Sequence, residues 1–283
     1  MSVIVRLGQL AYINCLPIYH ALEEGLLPIQ AELVMHPPAI LNNMLVNEQL
    51  DAGPISSIEY AKHDDKYIIL PDLSISADGT VKSILLFSKV PVTELDGKKV
   101  CLTDSSATGA AMMKILFDHY FHAEVKYETA PPNLDSMLSK ADAALLIGDP
   151  AMIAHHNVAK KGLPYQVTDL GKAWKDLTGM KMIYALWVAR VAFARNYPAV
   201  VEYISKVLRN SKLIGQNQIP AIHAKARQRC KLPLSTIVEY YNILDYEFDQ
   251  ETRKALLTFF DYAYKSGLID NRVKLKVWGE EYV

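Results

Sequence analysis

Cysteine is sparse and scattered, with Cys15, Cys101 and Cys230 the three in 283 residues. An odd number, with no CxxC spacing and no Cys/His cluster, argues against a disulfide framework and a structural zinc site. No metal is expected. Charge of one sign is not in excess either: Lys+Arg 30 against Asp+Glu 31 leave a formal net charge of -1. Without a basic footprint the chain is not drawn to nucleic acid. An anionic ligand would have to be held by local geometry rather than by a global field. Long apolar runs are also missing. Stretches such as Ile84–Phe87 are strand-sized, far below the roughly 20 residues of a membrane span, so no membrane partner is expected. Met1–Leu10 carries one basic residue and no apolar run of signal-peptide length. A reducing cytoplasm is the expected setting. Several catalytic signatures are absent too: no Walker-type loop, no G-x-G-x-x-G, no G-x-S-x-G and no HExxH. Nucleotide-dependent, nicotinamide-dependent and triad-type chemistries lose weight accordingly.

The composition that remains, 51% hydrophobic and 22% charged, is that of a packed globular protein. Strand-like and helix-like segments alternate. Val3–Leu7, Ala31–Met35 and Asp51–Ile55 read as strands. Pro17 and Pro38 open helices, since proline suits a first helical turn. Val81–Ser88 is a longer β-rich run, after which the pattern restarts at Lys99–Leu102, Val125–Tyr127 and Ala143–Ile147. Met182–Val188 reads as a returning strand, and the chain from Ala192 is almost all helical. Such alternation predicts two α/β lobes, each a mainly parallel sheet flanked by helices, with a ligand in the cleft between them. The expected division is residues 1–89 with 189–283 as one lobe and 90–188 as the other. Hinges are expected near Ser88–Val92 and Tyr184–Val188.

Ligands in such sheets lie where strand ends feed helix starts, and four turns stand out. In Ala11–Pro17, Asn14 either caps the following helix or meets a ligand with a neutral donor and acceptor. In Gly53–Tyr60, Ser56 and Ser57 sit where strand becomes helix; ordinary capping competes with a carboxylate site. In Thr103–Ala110, Ser105, Ser106 and Thr108 crowd a helix start, with Asp104 the alternative cap. In Leu145–Ala151, Ile147 and Gly148 let a ligand approach the backbone. Asp149 before Pro150 reads first as a cap and second as an acid or base. Ser83 lies in the crossing run and is placed in the cleft. Trp174 and Trp187 are either cleft walls or core. His155-His156 has no carboxylate at ligand spacing. Lys206, Arg209, Lys212, Lys225, Arg227 and Arg229 read as a solvated helical face.

These turns together resemble the chorismate dehydratases of menaquinone biosynthesis. RLGQLAYINCLPIYHALE is similar to that family's opening, a strand and a Tyr-x-Asn-x-x-Pro turn. PISSIEYA, VKSILLFS, ALLIGDPA and DLGKAWKDLTGMKMIYALW resemble its later blocks, in order, over about the whole chain. The sister family that makes 1,4-dihydroxy-6-naphthoate usually opens with a Ser-Pro-Cys-Pro-Asn-type turn, which is missing. One departure is that Thr108 is followed by Gly109, where the family usually has a second hydroxyl.

The resemblance implies a type-2 periplasmic-binding-protein fold used as a lyase without a cofactor. The reaction implied is loss of water from chorismate, giving 3-[(1-carboxyvinyl)oxy]benzoate in the futalosine-dependent route. Chorismate carries two carboxylates and a ring hydroxyl, and dehydration makes its ring aromatic, so positioning and exclusion of water could supply much of the rate. Asn14 and Asp149 are then the catalytic candidates. Ser56, Ser57, Ser83, Ser105, Ser106, Thr108, Ile147 and Gly148 are the substrate-binding ones. The base is either Asp149 or a substrate carboxylate. The alternatives are a small-anion solute-binding protein and the dihydroxynaphthoate synthase on the same scaffold. A monomer or homodimer is expected.

Overall fold

The computed structural model describes residues 4–280. Val3 of the first expected strand lies outside them. The chain begins β1 (Val5–Leu10), α1 (Leu16–Glu23), β2 (Ala31–His36), α2 (Pro38–Val46), β3 (Ala52–Ser56), α3 (Ser57–Lys62) and β4 (Tyr67–Ala77). A second set follows: β5 (Ile84–Ser88), β6 (Lys99–Thr103), α4 (Ala107–Leu116), β7 (Lys126–Ala130), α5 (Leu134–Leu138), β8 (Ala143–Ile147), α6 (Gly148–Lys161), β9 (Gln166–Asp169) and α7 (Leu170–Thr178). The chain returns through β10 (Met182–Arg190) to α8 (Val191–Asn196), α9 (Pro198–Gln216), α10 (Ile219–Cys230) and α11 (Leu234–Ile243). The short β11 (Leu244–Asp245) and α12 (Gln250–Lys265) complete it.

The described residues form two sheets, ordered β11-β4-β10-β3-β1-β2 and β7-β6-β8-β5-β9. The two-lobed α/β expectation holds, but the sheets are mixed. β1 runs parallel to β2 and β3, and β6 to β7 and β8. β10 is antiparallel to β3 and β4, and β5 is antiparallel to β8 and β9. The reason lies in the crossings. A strand that arrives from the other sheet, without a helical crossover inside its own, is free to run backwards.

The expected boundaries also shift. Ile84–Ser88 pairs in the second sheet, and Met182–Arg190 is sandwiched in the first between β3 and β4. The chain therefore crosses at residues 78–83 and 179–181. Ala185, Leu186 and Val188 are paired with both β3 and β4, so the segment expected as a hinge lies inside the first sheet, and Ser88 belongs to the β5 ladder.

Trp174 and Trp187 are fully buried in the core, which settles them as packing residues. Each buried aromatic of this size contributes roughly 2–3 kcal/mol. Trp187 Nε1 donates to Tyr19 Oη at 2.9 Å, and Tyr19 Oη donates to the Gly8 carbonyl at 2.7 Å, tying β10, α1 and β1 together. The basic face of the C-terminal helices is less solvated than expected. Lys212 is buried and its Nζ meets both Glu247 oxygens at 2.8 Å, because α9 packs that position against β4 and the 245–248 turn. Among the described residues no helix is long and apolar enough to cross a membrane.

Candidate functional site

The polar turns converge on a hollow between the two sheets, with an empty volume of about 650 Å³, mouth included. Asn14, Ser56, Ser83, Ser106, Thr108, Ile147 and Gly148 are on its wall. Ser57, Ser105 and Asp149 are not. Ser57 Oγ donates to the Ile183 carbonyl at 2.7 Å and anchors α3 to β10. Ser105 Oγ turns inward to Thr103 Oγ1 at 2.7 Å. Asp149 points behind the wall.

Local structure explains each placement. Ser106 caps α4, accepting from Gly109 N–H at 3.0 Å, so Asp104 is not the cap. A side chain at Gly109 would stand 2.8 Å from Ser106 Oγ and 3.1 Å from Ile147. The glycine in place of a second hydroxyl thus allows Ile147 to close on the α4 start. Gly148 has φ +62, a left-handed conformation that favours glycine, and a Cβ there would lie 2.7 Å from the Tyr12 ring. The Tyr12 ring thus packs against the start of α6, joining the β1 turn to the second sheet. Asp169 accepts from Val81 and Lys82 N–H at 3.1 and 2.7 Å, which fixes the turn that presents Ser83.

The wall hydroxyls share one property. Ser56 Oγ accepts from Asn42 Nδ2 at 3.0 Å, and Ser83 Oγ from Tyr240 Oη at 3.1 Å. Ser106 Oγ accepts from Gly109 N–H at 3.0 Å, and Thr108 Oγ1 from Ile58 N–H at 3.2 Å. A hydroxyl has one proton to donate. With protein donors on their acceptor sides, all four keep that proton for another acceptor. Asn14 is the counterpart. Its side chain bonds Tyr240, while its Oδ1 is buried without a hydrogen-bond partner. Asn14 caps no helix. The Tyr184 hydroxyl, also on the wall, is buried and unpartnered. Among the described residues the wall holds no Asp, Glu, Lys, Arg or His. It therefore offers neutral donors and one amide acceptor.

Asp149 sits in the first turn of α6, where it caps nothing; Ile147 is the residue at the cap. Its carboxylate accepts from Ile13 N–H at 3.2 Å. Burial pushes its pKa up to about 6, against the opposing effect of the Ile13 bond. The turn it holds is gripped from the other side by tyrosines. Tyr241 Oη donates to the Ile13 carbonyl at 2.6 Å and Tyr246 Oη to the Asn14 carbonyl at 2.9 Å. Burial raises the pKa of Tyr240, with the Ser83 and Asn14 bonds offsetting part of it, so the phenol stays neutral.

Asn42, Tyr12, Tyr184 and Tyr240 also line the hollow and escaped the reading of the turns. A signal existed for Asn42: it occupies the apolar face of α2 beside Leu41 and Leu45. Tyr240 has none, because it lies more than 150 residues from Ser83 in the chain.

The sequence model of the family described as menaquinone biosynthesis matches residues 5–265. The chain belongs to the menaquinone biosynthesis family. Its relatives include a chorismate dehydratase of Thermus thermophilus, 29% identical over 266 residues, covering 89% of this chain and 93% of the relative. A 1,4-dihydroxy-6-naphthoate synthase of the same organism is 26% identical over 188 residues, 66% of each chain. The fold of this family member is similar to that of a protein of Archaeoglobus fulgidus (TM-score 0.77, 19% identity, covering 94% of this chain and 98% of that one). It is also similar to the periplasmic aliphatic sulphonate binding protein of Escherichia coli (TM-score 0.67, 14% identity, covering 100% and 94%). The menaquinone-family chain thus has a periplasmic-binding-protein-like fold, with two helix-flanked sheets and a hollow between them.

Proposed function

We propose that this protein is a chorismate dehydratase, a cofactor-independent lyase that takes water from chorismate to give 3-[(1-carboxyvinyl)oxy]benzoate. The observation that carries the reading is the hydrogen-bond polarity of the hollow. Four hydroxyls at Ser56, Ser83, Ser106 and Thr108 have protons to donate, and one acceptor, Asn14 Oδ1, is unpartnered. A ligand that satisfies this wall brings several acceptors and a donor. Two carboxylates and one hydroxyl are that set. The relative named chorismate dehydratase, similar over 89% of the chain, supports the same choice.

In this reading one carboxylate lies at the start of α4 against Ser106 and Thr108, where helix polarity favours an anion, and the other is met by Ser56. Asn14 Oδ1 accepts the ring hydroxyl. The hydrogen on the neighbouring ether-bearing carbon is vinylogous to the ring carboxylate. Charge that develops on its loss therefore flows toward the donors at that carboxylate. With no ionised side chain on the wall, the proton goes to a carboxylate of the substrate itself. The C–H electron pair becomes the new ring double bond, the C–O pair leaves with the hydroxyl, and the transferred proton completes water. Asp149 supports the turn rather than the proton transfer. The two sheets act as lobes closing on the acid, and three buried free cysteines fit a reducing cytoplasm.

The test is to incubate the purified protein with chorismate and follow formation of an aromatic product one water lighter by absorbance and mass. Asn14→Ala is expected to lower turnover by about 100-fold or more with its circular dichroism unchanged. Full turnover by that variant would remove Asn14 from the mechanism. Tight binding of chorismate without any product would instead make the protein a solute receptor.

A further inference from the structure

Asn42 lies in the middle of α2, 4% exposed, where its neighbours Leu41 and Leu45 are core residues. Asparagine is a weak helix former, and a buried carboxamide is costly unless its polar atoms are matched. Here both are matched, and by one residue. Nδ2 donates to Ser56 Oγ at 3.0 Å, and Oδ1 accepts from Ser56 N–H at 3.1 Å. Ser56 occupies the cap position of α3, yet its side chain makes no capping bond. The amide such a cap commonly serves, Ile58 N–H, donates to Thr108 Oγ1 instead. Ser56 has thus been taken out of the usual capping role. Its backbone N–H is engaged, one lone pair is engaged by a donor, and its O–H lies on the wall of the hollow.

We propose that Asn42 is a positioning residue: by donating to Ser56 Oγ it fixes the Ser56 hydroxyl as a donor, so that this end of the hollow selects a carboxylate oxygen over a carboxamide N–H. The inference rests on the reading of the hollow as an acid-binding site. Exchanging the donor for an acceptor with Asn42→Asp reverses the device, because the introduced carboxylate would take the Ser56 proton for itself. Asn42→Leu removes the pair at similar volume.

The experiment measures binding of isophthalate and of isophthalamide to the wild-type protein, Asn42→Asp, Asn42→Leu, Ser56→Ala and the double variant Asn42→Asp/Ser56→Ala, with thermal unfolding of each. Wild type is expected to prefer the dicarboxylate. In Asn42→Asp, isophthalate affinity falls about tenfold or more while isophthalamide affinity changes little, and Asn42→Leu falls to the level of Ser56→Ala. Adding Ser56→Ala to Asn42→Asp costs less than the single changes together, because the two act through one group. Equal losses for acid and amide, or strictly additive losses, would overturn the proposal and leave Asn42 as a tie between α2 and β3. If isophthalate binding follows the expected pattern but chorismate is not converted, the dehydratase reading fails and the role of Asn42 stands. A wild-type protein that binds no carboxylate overturns both.

Discussion

The Asp149 carboxylate, at the start of α6, accepts a hydrogen bond from the backbone N–H of Ile13, in the turn after β1. One residue belongs to each sheet's side of the hollow, so this bond is part of what holds the two together beside Asn14. Burial lifts the pKa of Asp149 to about 6. Between the ordinary carboxylate value near 4 and that value, the folded protein keeps a proton that the unfolded chain has released. Stability is therefore highest below that window and falls as pH rises through it. Asp149→Asn keeps an acceptor for Ile13 without the buried charge. It should remove the slope and raise stability at neutral pH by about 1–2 kcal/mol, read by urea unfolding at several pH values.

The same variant separates support from chemistry. Asp149 is off the wall of the hollow, so Asp149→Asn is expected to retain turnover within a few fold of wild type. A loss of about 100-fold or more would make its carboxyl the proton acceptor.

Gly148→Ala meets two obstacles, a left-handed backbone at φ +62 and the Tyr12 ring 2.7 Å from the new Cβ. Together these should cost about 2–4 kcal/mol, seen as a lower melting temperature. The clash is relieved when the ring is removed. Tyr12→Ala/Gly148→Ala should therefore be more stable than the sum of the single changes by about 1 kcal/mol or more.

Tyr19→Phe removes one oxygen that serves two partners, the Gly8 carbonyl and Trp187 Nε1. The buried indole N–H loses its acceptor, and the Gly8 carbonyl loses this donor. A loss of about 2–3 kcal/mol is expected in chemical denaturation, with little change in the affinity of the hollow.

Tyr240→Phe takes the donor from Ser83 Oγ and the partner from the Asn14 side chain, and frees both to turn. KM for chorismate should rise about tenfold, with turnover also lower because Asn14 loses its side-chain partner, and the melting temperature should fall. An unchanged KM would show that Ser83 does not depend on its partner.

Much of this was legible in the chain. The strand-to-helix turns at Asn14, Ser56, Ser106 and Gly148 are local patterns, and local patterns suffice to bring them to one end of each sheet. Pairing is not local. VKSILLFS is β-rich wherever it goes, and nothing within it tells that Ile84–Ser88 joins β8 and β9. β4 went unread because Pro71 and Asp72 interrupt it, Asp72 with φ +61, although the strand continues on both sides. Ser57 and Ser105 looked like their neighbours, but their hydroxyls are engaged by the Ile183 carbonyl and Thr103 Oγ1, partners that the turns themselves do not reveal. Asn42 and Tyr240 matter through partners 14 and 157 residues away, which no window reveals.

Tyr240, Tyr241 and Tyr246 come from the last fifth of the chain and grip Ser83, Ile13 and Asn14. During synthesis, both sheets can emerge from the ribosome and pair most of their strands before these rings exist. The pocket therefore matures last. A nascent chain stalled before α11 would carry the Ile13–Asn14 turn and Ser83 without these clasps, leaving the hollow unfinished however well its sheets had formed.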